Sequence, residues 1–161
     1  MFAPVEGIFG GSKTDSVIDK REALALLNEA AEAGLVHTVG NYRENQHYIC
    51  NCCTCCCGVV RRLSEFEVPN AVARSAFRAL VDADVCIACG ACAERCQFDA
   101  ISVADVAVVD AGRCIGCGQC TLVCPVSAMS LVRRPEDEVL GIPLDDAAWG
   151  AARRAAKAMG G

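Results

Sequence analysis

Large side chains are scarce in this sequence. It holds one Trp, two Tyr and five Phe among 161 residues, only 5% aromatic. A chain so poor in large apolar groups builds a thin core, and something besides apolar burial must help to hold it together. No stretch approaches the roughly 18 consecutive apolar residues of a membrane helix, so no membrane insertion is expected. A basic excess is missing too. The 15 Lys and Arg face 20 Asp and Glu, a formal charge of −5, which argues against a nucleic-acid-binding surface. Met1 to Gly11 lacks a basic segment, a long apolar run and a twin-arginine pair, so no export signal is read there and a cytoplasmic location is expected. No phosphate loop, acid–base pair or open metal site stands out, so the isolated chain is not expected to be an enzyme.

What the sequence has in abundance is cysteine, 14 residues in all. In a reducing compartment such density means metal or redox chemistry rather than disulfides. Residues 85–103 (VCIACGACAERCQFDAISV) align without a gap on residues 113–131 (RCIGCGQCTLVCPVSAMSL). The repeat carries Cys86, Cys89, Cys92 and Cys96 onto Cys114, Cys117, Cys120 and Cys124, and it implies a module with pseudo-two-fold symmetry. Both runs read C-x2-C-x2-C-x3-C. Three thiolates on a tight loop can face three irons of one cubane, and Gly90, Ala91, Gly116 and Gly118 are small enough to let the backbone curl round it. The fourth cysteine is expected to begin a helix that leads away, and so to reach the other cluster. One cluster is therefore assigned to Cys86, Cys89, Cys92 and Cys124, and the other to Cys114, Cys117, Cys120 and Cys96. Zinc knuckles would be pairs separated by a longer spacer, and here every pair extends to a third cysteine at the same step. With a thiolate on every iron, such sites pass single electrons and leave no position for a substrate. Asp82, Asp84, Glu94, Asp99, Asp105 and Asp110 lie near these runs, and their negative charge predicts low reduction potentials.

A third concentration is denser still: Cys50, Cys52, Cys53, Cys55, Cys56 and Cys57 occupy six of eight consecutive positions. Cys50, Cys53 and Cys56 repeat the C-x2-C-x2-C step, and Cys52 with Cys55 forms a second C-x2-C pair. The favoured reading is a third [4Fe-4S] cluster on four of the six; a zinc knuckle, or thiols awaiting ligands from a partner subunit, stay open. His47 stands three residues before Cys50 and is a possible ligand, although a loop histidine bonded to backbone is the plainer reading for it and for His37.

Elsewhere the pattern is simpler. Residues 1–16 read as an irregular arm. Asp19 to Ala33 reads as a helix, with an Asp19–Glu22 capping box, an apolar stripe through Ala23, Leu24, Leu27, Ala30 and Ala31, and a stop at Gly34. Leu35 to Tyr48 reads as loop and Asn70 to Val81 as a second helix. A tail begins at Pro135 and ends in an Ala-rich helix from Asp145 to Met159, which carries Trp149 as a packing or docking residue.

The paired cysteine runs and Pro125 after the last of them resemble the two-cluster bacterial ferredoxin family over about 50 residues; the matching proline after Cys96 is replaced by Gln97. That resemblance implies an α+β fold: a ferredoxin-like two-cluster module of two hairpins and two short helices, with strands over Ala100–Val103, Val106–Asp110 and Ala128–Val132, behind an N-terminal helical, cysteine-rich extension. The expected domains are 1–81 (arm, helices and dense cysteine segment), 82–134 (two-cluster module) and 135–161 (tail). The segments EALALLNEAAEAGLVHTVGN, YICNCCTCCCGVVR and PNAVARSAF further resemble a wider family of 4Fe-4S proteins of anaerobes, of which this chain is a short version. Short versions resemble polyferredoxin subunits of large oxidoreductases, including tungsten enzymes of the aldehyde oxidoreductase and benzoyl-CoA reductase type. The resemblance implies an electron-transfer subunit with a catalytic subunit and a second carrier as partners, hence a hetero-oligomer. A free soluble ferredoxin and a thiol-based redox sensor are the competing readings.

Overall fold

The computed structural model describes residues 16–66, 73, 75–139 and 141–159. The expected arm over 1–16 thus lies almost wholly outside the described residues. Helix α1 (Lys20–Glu32) starts at Asp19, whose carboxylate accepts the Glu22 N–H at 2.8 Å while the Glu22 carboxylate accepts the Asp19 N–H at 2.9 Å. This reciprocal pair satisfies two donors that the first helical turn would leave orphaned. Gly34, at φ +85, ends it and donates its N–H to Ala31 O at 3.0 Å. Ala30 is buried, but Leu24 and Leu26 are exposed, so α1 lies on the surface.

Strand β1 (Val36–Thr38) pairs antiparallel with β2 (Cys50–Cys52), placing Val36 opposite Cys52 and Thr38 opposite Cys50. The expected loop over 35–48 therefore opens with a strand. Its three residues are too few for a periodic signal, and the partner is a cysteine segment with no ordinary strand composition. Helix α2 (Gly58–Ser64) follows Cys57 and buries Val60.

A larger correction concerns the helix expected over 70–81. Residues 67–72 and 74 lie outside the described residues, but Phe77–Val81 forms strand β3. It pairs residue for residue with a strand some fifty positions later, Phe77 with Arg133 through Val81 with Met129. A five-residue run such as FRALV fits either state locally, and the long-range partner decides.

Two short helices and three strands complete the region: α3 (Ala91–Arg95), β4 (Ile101–Val103), β5 (Ala107–Val109), α4 (Gln119–Leu122) and β6 (Met129–Arg133). The hairpin β4–β5 and the strand β6 fall where they were expected, within a residue. β6 does not close a second local hairpin; β3 is its partner, which ties residues 77–81 to the module. A 3-10 turn (Glu136–Glu138) leads on, and α5 (Asp146–Met159) ends the described chain. Asp145 starts α5 by accepting the Ala148 N–H at 2.8 Å. Trp149 packs its ring near Tyr42, with centroids 6.4 Å apart, and lies under the Arg153 guanidinium at 4.6 Å.

The core is made of small residues and sulfur. Ala79, Ala100 and Ala107 join Cys52, Cys92, Cys114 and Cys120, with Val36, Val60, Phe98 and Met129 as the larger members. None of the described helices is long and apolar enough to cross a membrane.

Candidate metal centres

The module repeats in backbone as well as in sequence. Ala88, Gly90 and Asp99 have positive φ of 52, 84 and 48°, and so do Gly116, Gly118 and Ser127, each 28 residues further on, at 76, 80 and 54°. Each left-handed residue reverses the chain tightly, so the cysteines of a run face inward from a small loop. Gly116 has no alternative: a Cβ there would stand 2.0 Å from Phe77 O. The fourth cysteines match as well, but each follows a short helix, α3 or α4, and does not begin one as expected: the helix is formed by the residues around the third cysteine, after the left-handed glycine. The Ala100 N–H donates to Cys96 Sγ at 3.4 Å and the Ala128 N–H donates to Cys124 Sγ at 3.1 Å.

Two cavities result. One is lined by Cys86, Cys89, Cys92 and Cys124 together with Ile87, Val126, Met129 and small residues. The other is lined by Cys96, Cys114, Cys117 and Cys120 with Phe98, Ile101, Ile115, Gln119 and small residues. Each cavity collects three cysteines of one run and the fourth of the other. Neither contains a charged side chain or any titratable group other than cysteine.

The thiols answer to that setting. Burial pushes Cys120 up to about 12 and also raises Cys117 and Cys92. Burial acts the same way on Cys124, but the N–H groups of Met129, Val126, Ala128 and Ser127 outweigh it and leave the thiol below its ordinary value. Buried thiols that resist ionising alone become thiolates when a cation takes the cavity. Four sulfurs, apolar walls and N–H groups aimed at ligand sulfur fit an iron–sulfur cluster in each cavity.

Polar side chains that no sequence motif had singled out hold the loops in place. The buried guanidinium of Arg134 donates to Cys114 O at 2.6 Å and Phe77 O at 3.2 Å, and pairs with Glu138 at 3.2 Å. Buried Gln119 donates to Leu35 O at 2.8 Å and accepts from Arg95 Nε at 3.1 Å, while Arg95 also donates to Glu32 O at 2.7 Å at the end of α1. Gln97, in the place of the second proline, donates to Gly34 O and accepts the Thr54 N–H at 2.8 Å. A polar residue where a proline was expected was the one signal in the sequence that could have marked this link.

In the dense segment the structure brings together Cys53, Cys55 and Cys56, whose sulfurs all lie within 4.8 Å of one another. This is neither register read from the spacing. Cys50 and Cys52 are held in β2, where Cys52 is buried with its sulfur 3.4 Å from the Thr38 hydroxyl. Cys57 stands at the start of α2. Strand β2 thus holds two of the six and the start of α2 a third, while the turn between them carries Cys53, Cys55 and Cys56. His47 does not join the group; its ring lies near Tyr42, and His37 bonds Asn51 at 2.8 Å.

Comparison with protein-family models matches residues 79–131 to the 4Fe-4S dicluster domain. No curated protein matches the chain. With two cysteine-lined cavities inside the matched residues, this chain carries [4Fe-4S] clusters in a region similar to the 4Fe-4S dicluster domain.

Proposed function

We propose that this protein is an electron-transfer subunit of a larger oxidoreductase, and that Cys86, Cys89, Cys92 and Cys124 ligate one cluster while Cys114, Cys117, Cys120 and Cys96 ligate the other. The observation that carries the reading is the crossed lining of the two cavities, three cysteines from one repeat and one from the other in each. When bound, a [4Fe-4S] cluster supplies reversible one-electron chemistry. The part of the chain is to hold sulfur, exclude water and leave one face approachable. Apolar walls keep the dielectric low, and the Ala100 and Ala128 N–H groups stabilise charge on ligand sulfur.

The two loops differ in how they meet solvent. Ile115 O accepts the Ser75 N–H at 3.1 Å and β3 runs past Gly116, so the second loop is covered. In the first loop Ile87 is 60% exposed and Cys89 is exposed beside it. An apolar residue at the mouth of a cofactor cavity suits a partner surface. The first loop is therefore the docking face for another redox protein, and the contacts of Gln97, Gln119 and Arg95 fasten the N-terminal extension to the module. Size-exclusion chromatography of native extract made without oxygen tests the assignment. A subunit of a complex elutes far above 16.9 kDa and shifts down with Ile87→Asp; a protein that elutes at its own mass is a free carrier.

A further inference from the structure

The sulfurs of the dense segment are spaced for one ion. A tetrahedral zinc with Zn–S bonds of about 2.3 Å places its thiolates about 3.8 Å from each other. Cys53, Cys55 and Cys56 have all three sulfurs within 4.8 Å, and Cys55 and Cys56 are 3.5 Å apart. Among the described residues no other three His, Cys, Asp or Glu side chains meet this closely, and the eight module cysteines do not. The contrast is chemical. In a cubane each thiolate binds a different iron and the sulfurs sit on the outside of a multi-atom cluster, so they spread around a cavity. Thiolates that share one ion converge on a point.

The turn that makes the triad is built rather than loose. The Cys57 N–H donates to Cys53 O at 3.1 Å and closes it. The Thr54 N–H donates to Gln97 Oε1, and Gln97 in turn donates to Gly34 O, so the turn is pinned to the residue next to Cys96. β2 holds Cys50 and Cys52 apart from it. Cys55 and Cys56 face solvent, which gives an ion a way in.

We propose that Cys53, Cys55 and Cys56 bind a single thiophilic cation, Zn2+, in a three-thiolate site whose fourth position faces solvent. Three soft ligands select zinc over magnesium or calcium, and binding releases thiol protons. The fourth position takes water, or a side chain of a partner. This site shares no residue with the linings of the two cluster cavities and does not depend on the electron-transfer reading.

The test is a metal count on the full chain purified without oxygen and equilibrated with Zn2+. About eight iron, eight sulfide and one zinc per chain are expected from two [4Fe-4S] clusters and one ion. The exposed pair change Cys55→Ser with Cys56→Ser should remove the zinc and leave iron and sulfide unchanged. Replacing Zn2+ by Co2+ in the unaltered protein should give thiolate-to-cobalt charge-transfer absorption, a readout that needs no variant. Roughly twelve iron and twelve sulfide with no zinc would overturn the proposal in favour of a third cubane. Iron near eight with no zinc retained and no cobalt band would overturn it in favour of free thiols. Zinc that stays with the Cys55→Ser/Cys56→Ser variant, or that displaces iron from the chain, would place the ion on other thiols and overturn the proposal.

Discussion

Gly116→Ala should be the most damaging glycine-to-alanine change in the two cysteine loops, and its repeat mates calibrate it. A residue with a Cβ at left-handed φ costs about 1–2 kcal/mol. Gly90, at φ +84, would have no atom within 4 Å of an added methyl, so Gly90→Ala carries that cost alone. At Gly118 the nearest atom is the flexible end of Leu131, 3.0 Å away, which can give way. At Gly116 the methyl meets Phe77 O at 2.0 Å, a backbone oxygen fixed by the β3–β6 register and by Arg134. Adding an overpacking cost of about 1–3 kcal/mol brings Gly116→Ala to about 2–5 kcal/mol. Ala88 is the mirror of Gly116 and already bears a Cβ at φ 52, so Ala88→Gly relieves strain by about 1 kcal/mol. The assay is the rate at which cluster absorbance bleaches in guanidinium under anaerobic conditions. Where opening of the loop limits that rate, Gly116→Ala bleaches at least about 30-fold faster, Gly90→Ala about 10-fold faster, and Ala88→Gly more slowly. Equal effects at Gly116 and Gly90 would refute the close approach of β3 to the second loop.

Other consequences concern the side chains that position the centres. Arg134→Leu removes the donor from two carbonyls and should speed bleaching by about 10- to 100-fold for each bond lost, at roughly 1.5–3 kcal/mol per charged hydrogen bond. Arg134→Lys should not restore it, because a point ammonium cannot replace the planar fork. The same change to Leu removes a buried positive charge beside Cys114, whereas the six acidic residues near the runs are all exposed and screened. The potential of the Cys114 centre should therefore fall, by on the order of tens of millivolts in a redox titration, with the Cys86 centre less affected. Cys124→Ser tests the crossed assignment: it should alter the reduced-state EPR signal of the centre held by Cys86, Cys89 and Cys92, although Cys124 belongs to the other run. Gln97→Ala should leave iron content unchanged while speeding hydrogen exchange at the Thr54 amide, about fivefold for each 1 kcal/mol lost.

The site was more legible than the fold around it. Ligand spacing is local chemistry: eight cysteines at fixed steps, repeated at one offset, state where sulfur must converge, and both cavities gather those residues. Capping is local too, so Asp19, Glu22, Gly34 and Asp145 announce the ends of α1 and the start of α5. β3 was hidden because its state is decided by Met129–Arg133, far along the chain, and FRALV alone does not name its partner. The β1–β2 pair was hidden for the same reason, with the added mask of a cysteine-rich strand. In the dense segment six cysteines in eight positions allow many registers by spacing. The pairing of β2, which holds Cys50 and Cys52, and the start of α2 at Cys57 leave Cys53, Cys55 and Cys56 on the turn between them. Gln97, Arg134 and Gln119 act through contacts with residues 20 to 84 positions away, beyond any short motif.

An anaerobic coulometric titration of the iron-replete protein, followed by EPR, tests the central claim most directly. Two clusters in the crossed cavities predict reversible uptake of about two electrons per chain, one for each centre. An iron-replete chain that takes up no electrons reversibly would contradict the account.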